Sequence, residues 1–282
     1  MLVIKKIVVC GAGTMGSGIA QIIAQHGFKT VLFDLNEEVL NKSSLLIKSS
    51  LQALVLKNKI TKDEEQQTID NIQYTSNINN CTAHLIIEAI VENKEAKLNL
   101  FKQLEQINNT ETIIASNTSS ISINQLAAEM QRPQMFAGMH FFNPATIMKL
   151  VEVIKATTTN NNVIKQLCLL STALGKTAVI CNDAPGFIVN RVARHYYLEA
   201  MRLIELNLAT IENVDTIMQA SGFKMGPFKL MDLIGMDINY NVSNIVWNDL
   251  GKPERLKPSI IQQQKVEAKE LGKKTRKGFY NY

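Results

Sequence analysis

Hydrophobic and polar positions follow two alternating periods through the first two thirds of the chain. Residues 6–10 (KIVVC) are a short apolar, β-branched run, the pattern of a strand buried on both faces. Residues 17–26 then place Ile19, Ala20, Ile23 and Ala24 at helical spacing, with Gly27 set to close the helix as its C′ residue. A second strand is predicted over 29–33, ending at Asp34. The alternation continues with helices over 38–59 and 61–72, the latter opened by a Thr61/Glu64 capping box. Strands are predicted over 84–90, 112–115, 136–142, 151–154 and 178–180, and helices over 94–106, 123–129 and 161–174. Strand patterns stop after Pro185. From Gly186 only helical patterns remain, broken near Asn207, Gly222, Gly235 and Gly251. The expected architecture is therefore α/β over residues 1–185, where the glycine-rich turn at 11–16 between the first strand and first helix reads as that of a Rossmann-type dinucleotide-binding sheet, followed by an all-helical domain over 186–282.

Composition narrows the class further. At 282 residues, 46% hydrophobic and 20% charged, the chain has the material for a globular core without disulfides. No apolar run approaches the ~20 residues needed to span a bilayer. The 30 basic and 25 acidic residues give a net charge of +5, spread along the chain apart from a cluster at Lys269, Lys273, Lys274, Arg276 and Lys277. A nucleic-acid interface calls for a denser stripe with interleaved aromatics, so no nucleic acid is expected, and a small anionic partner suits the balance. Cys10, Cys81, Cys168 and Cys181 show no metal-ligand spacing and read as buried, reduced thiols, so no metal and a reducing compartment are expected. Met1-Leu2-Val3 leads towards the first strand without a secretory or transit pattern. The expectation is a cytoplasmic protein, and a processed organellar form would read the same.

Gly11-Ala12-Gly13-Thr14-Met15-Gly16 follows the first strand and opens the first helix. In that context a GxGxxG run is a dinucleotide motif. Gly11 allows the tight turn, Gly13 admits a pyrophosphate and Gly16 lets the helix pack close to the strand. The helix N-terminus offers N–H groups and partial positive charge. Asp34, 18 residues beyond Gly16, stands where a carboxylate would accept both ribose hydroxyls and repel a 2′-phosphate, favouring NAD over NADP. Without a ligand, the same glycines would make only a tight turn.

An alcohol-oxidising nicotinamide enzyme needs a base near neutral pH, and histidine is the default. Of four histidines, His26 ends a helix, His84 begins a strand and His195 sits in the helical half. His140 stands near the carboxyl end of a strand, where open α/β sheets bind ligands. Twelve residues later Glu152 interrupts the apolar run 150–154, and a carboxylate there needs a partner. Spacing alone leaves a His140–Glu152 pair open.

Nine segments together resemble the L-3-hydroxyacyl-CoA dehydrogenase family, particularly its stand-alone 3-hydroxybutyryl-CoA type. They are residues 11–16 (GAGTMG), 88–93 (EAIVEN), 115–120 (ASNTSS), 138–144 (GMHFFNP), 148–154 (MKLVEVI), 185–191 (PGFIVNR), 225–228 (MGPF), 232–237 (DLIGMD) and 278–280 (GFY). The resemblance implies reversible, NAD-dependent oxidation of a short-chain L-3-hydroxyacyl-CoA to the 3-ketoacyl-CoA. It implies His140 as base, Glu152 as its orienting carboxylate, and Ser119 and Asn190 as catalytic groups that also bind substrate. For the cofactor it adds Glu92, Lys97, Ser119, Asn143 and Lys274 to the glycine loop and Asp34. Ser50 and Lys57 are implied for coenzyme A, and a homodimer through the helical domain. Three features depart from the pattern: Ala53 replaces a basic residue, Arg276 stands where glycine is usual, and Ala145-Thr146-Ile147 replaces a proline-containing stretch. The competing readings are the same fold acting on a free hydroxy acid such as gulonate, and a non-catalytic NAD-binding relative.

Overall fold

A computed structural model describes residues 4–282; the Met1-Leu2-Val3 segment lies outside the described residues. The chain divides into two compact units, residues 1–183 and 184–282. The first is an eight-stranded sheet ordered β3-β2-β1-β4-β5-β6-β7-β8 with helices between the strands. Its strands are β1 (Lys6–Cys10), β2 (Lys29–Phe33), β3 (Ile72–Thr75), β4 (Leu85–Glu88), β5 (Ile113–Ser116), β6 (Phe136–Phe141), β7 (Leu150–Lys155) and β8 (Thr177–Asn182). All pairings are parallel except β6 with β7. Strands β1 to β6 take the 3-2-1-4-5-6 order of a Rossmann sheet, and β1 and β4 flank its switch point.

Each inner strand is apolar because both of its faces are covered. Ile7, Val9, Leu85, Ile87, Ala115, Ala137 and Met139 join Ile19 and Ile23 of α1 (Thr14–Gln25) in one core. Gly27 closes α1 at φ +83°. Helix α2 (Glu37–Leu56) starts at an Asn36 cap, and α3 (Lys62–Asp70) starts with the expected capping box. Next come α4 (Lys94–Ile107), α5 (Ile123–Ala127) and α6 (Asn161–Ala173). Gly138 of β6 has no room for a side chain, since a Cβ there would lie 2.8 Å from Ile154 Cβ across the pairing.

The structure corrects the sequence reading at three places. Ile72, assigned to the end of a helix, begins β3, a four-residue strand too short to declare its period. The strand expected over 178–180 is the longer β8, an edge strand with mostly exposed side chains. The cysteines are free, but only Cys10 and Cys81 are buried; Cys168 on α6 and Cys181 on β8 are half-buried. Burial, reinforced by the charges of Glu152 and Asp183, pushes the Cys181 thiol up to about 12.

The second unit is helical: α7 (Val189–Glu205), α8 (Ile211–Ala220), α9 (Pro227–Ile234), α10 (Met236–Asp249) and α11 (Ile260–Glu267). Its own core gathers Tyr197, Met201, Val214, Phe228, Met231, Val246 and Leu256. The C-terminal segment is tied to it by Asp232, which accepts from the Phe279 and Tyr280 amides and the Tyr282 hydroxyl. No helix among the described residues is long and apolar enough to cross a membrane.

Candidate active site

The carboxyl ends of β1, β2, β4, β5 and β6 share one edge of the sheet, and the first loop there is built by contact. Gly11 takes φ +101°, and a Cβ on it would lie 2.5 Å from Ala89 O. Gly16 is equally constrained: its Cβ would lie 1.7 Å from Gly11 O. Gly13 is the opposite case, with nothing within 4 Å of where its side chain would be. It is also the N-cap of α1, with no side chain capping the helix and no acidic residue in the first turn. Exposed Gly13 and Thr14 therefore present helix N–H groups towards open space, the conditions an anionic pyrophosphate fits. Asp34 draws the loop in: its Oδ2 accepts from Ala12 N at 2.8 Å and its Oδ1 from Asn36 N at 3.0 Å. Ala12 and Met15 complete the turn.

The His140–Glu152 pair forms directly across the antiparallel junction. His140 on β6 and Glu152 on β7 are register partners, and Nδ1 lies 2.9 Å from Glu152 Oε2. Both are buried, at 6% and 1% exposure. An ionised carboxylate at that distance accepts a hydrogen bond from Nδ1–H, the tautomer whose basic lone pair is on Nε2. The Phe142 ring packs 4.6 Å from the imidazole centroid. The other three histidines hold the scaffold: His26 Nδ1 meets Ile22 O, His84 Nδ1 accepts from Lys6 N, and His195 Nε2 meets Arg255.

Ser119 lies in the turn after β5, which is hydrogen-bonded to its surroundings on two sides. Asn117 Oδ1 accepts from Phe141 N at 2.8 Å, joining the turn to the strand that carries His140. Glu92 Oε1 accepts from Thr118 Oγ1 at 2.5 Å and from the Ser119 and Ser120 amides at 3.0 and 3.2 Å. Burial pushes the Glu92 carboxyl up, but Lys97 and the Thr118 and Ser120 hydroxyls outweigh it and hold the group below the usual glutamate range. Lys97 is 1% exposed, with its ammonium between Glu88 and Glu92. Asn143 is exposed just beyond β6, in a cis Asn143–Pro144 bond.

The remaining candidates are carried by other elements. Ser50 and exposed Lys57 fall roughly 20 and 30 Å along α2 from its first residue, at 1.5 Å per residue. Lys57 is the C-cap of that helix. Within the helical unit, Asn190 opens α7, and its carbonyl accepts from Arg194 Nε. Arg194 is buried and also donates to Asn239 O and Ser243 Oγ; burial pushes it down to about 10. Lys274 is paired with Asp237 at 2.5 and 2.6 Å.

Four groups that organise this region were not singled out from sequence: Glu88, Asn117, Lys176 and Asp183. Lys176 is buried and donates to Ala145 O and Met148 O, so it fixes the loop containing Ala145-Thr146-Ile147. Asp183 Oδ2 accepts from Ser122 Oγ and Asn124 N at the start of α5. Glu88 carried a readable signal, since a glutamate closing the apolar run LIIE poses the same burial problem as Glu152.

Comparison with known proteins places this geometry. Residues 6–184 match the model of the 3-hydroxyacyl-CoA dehydrogenase NAD-binding domain, and residues 186–282 match the model of the same family's C-terminal domain. The chain is 42% identical over 284 residues to 3-hydroxyadipyl-CoA dehydrogenase of Escherichia coli, covering all of this chain and 60% of that protein's length. It is 40% identical over 290 residues to human mitochondrial hydroxyacyl-coenzyme A dehydrogenase, covering all of this chain and 92% of that one. The crystal structure of (S)-3-hydroxybutyryl-CoA dehydrogenase from Ralstonia eutropha superposes with a TM-score of 0.95 at 35% identity, covering 99% of each chain. A glycine cradle, a buried His–Glu pair and two matching domain models in order have one common explanation: the chain belongs to the 3-hydroxyacyl-CoA dehydrogenase family of NAD-dependent oxidoreductases.

Proposed function

We propose that this protein interconverts a short-chain L-3-hydroxyacyl-CoA and its 3-ketoacyl-CoA, with His140 as base. The observation that carries the reading is the 2.9 Å contact between His140 Nδ1 and Glu152 Oε2, buried beside the turn that holds Ser119. The Gly11–Gly16 loop and Asp34 would hold NAD, which when bound would supply the hydride acceptor. His140 takes the proton of the 3-hydroxyl at Nε2. Glu152 fixes the ring and stabilises the imidazolium that results, the part a carboxylate plays in a catalytic triad. Ser119 and Asn190 donate to the C3 oxygen, where charge develops. Glu92, Asn143 and Lys274 belong to the cofactor's surroundings in this reading, and Ser50 and Lys57 to coenzyme A. The separation of Ser50 and Lys57 along α2 suits a long anionic ligand, which a lysine meets as a point charge.

The assay follows NADH absorbance with acetoacetyl-CoA for the parent protein and His140→Gln. Rapid turnover by the parent is expected, with a loss of about 10²–10⁴-fold in the variant, the usual contribution of a general base. Tight NADH binding without turnover would overturn the short-chain thioester and direct the search to longer thioesters and free hydroxy acids. A homodimer through the helical unit is part of the same proposal. Exposed Ile217, Phe223, Leu233 and Ile238 in that unit support it, and sedimentation equilibrium reads it directly.

A further inference from the structure

We propose that Glu88 and Lys97 are positioning residues: together they hold the Glu92 carboxylate, and through it the turn that presents Ser119. The proposal rests on the reading above, in which Ser119 meets the substrate.

The argument starts from burial. Glu88 ends β4 at 0% exposure and Lys97 of α4 is 1% exposed, so both charges are out of water. Each is satisfied. Glu88 Oε1 accepts from Lys97 Nζ at 2.5 Å and from Ile90 N at 2.8 Å, and its Oε2 accepts from Ser116 Oγ at 2.6 Å. The same ammonium lies 3.2 Å from Glu92 Oε2. Such a pair is weak grounds for stability, because well-packed apolar residues usually serve as well. What it supplies is direction. Glu92 lies in the loop between β4 and α4 with 37% of its side chain exposed, and without Lys97 its carboxylate is free to turn to solvent. Held in place, its other oxygen collects the Thr118 hydroxyl and two successive amides, Ser119 and Ser120. One carboxylate oxygen thus fixes the backbone on which Ser119 is mounted. Lys97, enclosed by two carboxylates, has its charge already spent. It acts on the Ser119 turn through Glu92.

Removing Lys97 alone would strand a buried carboxylate, so the informative variant is the neutral pair Glu88→Gln/Lys97→Met, made with and without Ser119→Ala. Amide hydrogen exchange, NADH affinity by fluorescence, and kcat and KM for acetoacetyl-CoA are measured on each. We expect exchange at Ser119 and Ser120 to accelerate about tenfold or more while Ile113–Ser116 is unchanged, reflecting local rather than global opening. kcat should fall by about 10²-fold, the scale of one misplaced donor to a developing oxyanion, and NADH affinity should fall as well, since Glu92 and Lys97 stand among the groups expected around the cofactor. In the Ser119→Ala background the same pair of changes should cost less than about threefold, since coupled residues are non-additive. Unchanged protection at Ser119 and Ser120 would overturn the proposal. Full additivity with Ser119→Ala would overturn it too. If the parent fails to turn over acetoacetyl-CoA, the substrate reading falls, and the exchange measurement still decides this one.

Discussion

Individual residues show how far chemistry follows from placement. Arg276 occupies the left-handed region at φ 59°, where a side chain is strained and glycine is not. Arg276→Gly should therefore stabilise the folded chain, by up to about 1 kcal/mol, because the relief of backbone strain outweighs the added freedom of the unfolded state. A thermal melt of the two proteins tests the sign. Glu92 gives a pH prediction. Its folded carboxyl titrates below its unfolded value, so it contributes stability at neutral pH that is lost as pH falls through the folded value. Between about pH 5 and pH 3 the urea midpoint of the parent should drop more steeply than that of Glu92→Gln. The sequence made the glycine loop and Asp34 legible because each has a fixed offset from a strand. It left the His140–Glu152 pair open because pairing depends on register, which spacing does not encode. It hid the neighbours of Lys97 because a lysine's burial cannot be read from its own position.

At the scale of elements, legibility tracked length. The capping box at Thr61 and Glu64 was readable from four residues and forms as expected, with both reciprocal bonds present. Thr61→Ala should cost about 1 kcal/mol, measured by urea denaturation. Strand β3 was missed because four residues show too little alternation, and β8 was shortened because an edge strand mixes exposed and half-buried positions. The loop from 143 to 149 is held by Lys176 through two backbone carbonyls. Lys176→Met should leave those carbonyls unpaired and cost about 1–3 kcal/mol. Equilibrium unfolding reads this cost, and an unchanged midpoint would show that the loop re-pairs with water.

Among the described residues the sheet unit and the helical unit each have hydrophobic packing of their own. Residues 1–183 expressed alone should therefore fold and, on the proposed reading, bind NADH more weakly and without turnover, since they keep the Gly11–Gly16 loop but lack Lys274 and Asn190; circular dichroism and NADH fluorescence decide between this and collapse of the fragment. Within the first unit the strand pairings differ greatly in reach along the chain. His140 and Glu152 are 12 residues apart, whereas β1 must find β4 some 78 residues away, Ile7 opposite Leu85. Closing the shorter loop costs less entropy, and local pairings are the faster ones. His140 and Glu152 are thus set to meet early during refolding, before the glycine cradle has the neighbouring strand that shapes it. In pulse-labelled exchange, amides of Phe136–Phe141 should gain protection ahead of those of Lys6–Cys10, so that the pair proposed to handle the proton is assembled before the loop proposed to hold the cofactor.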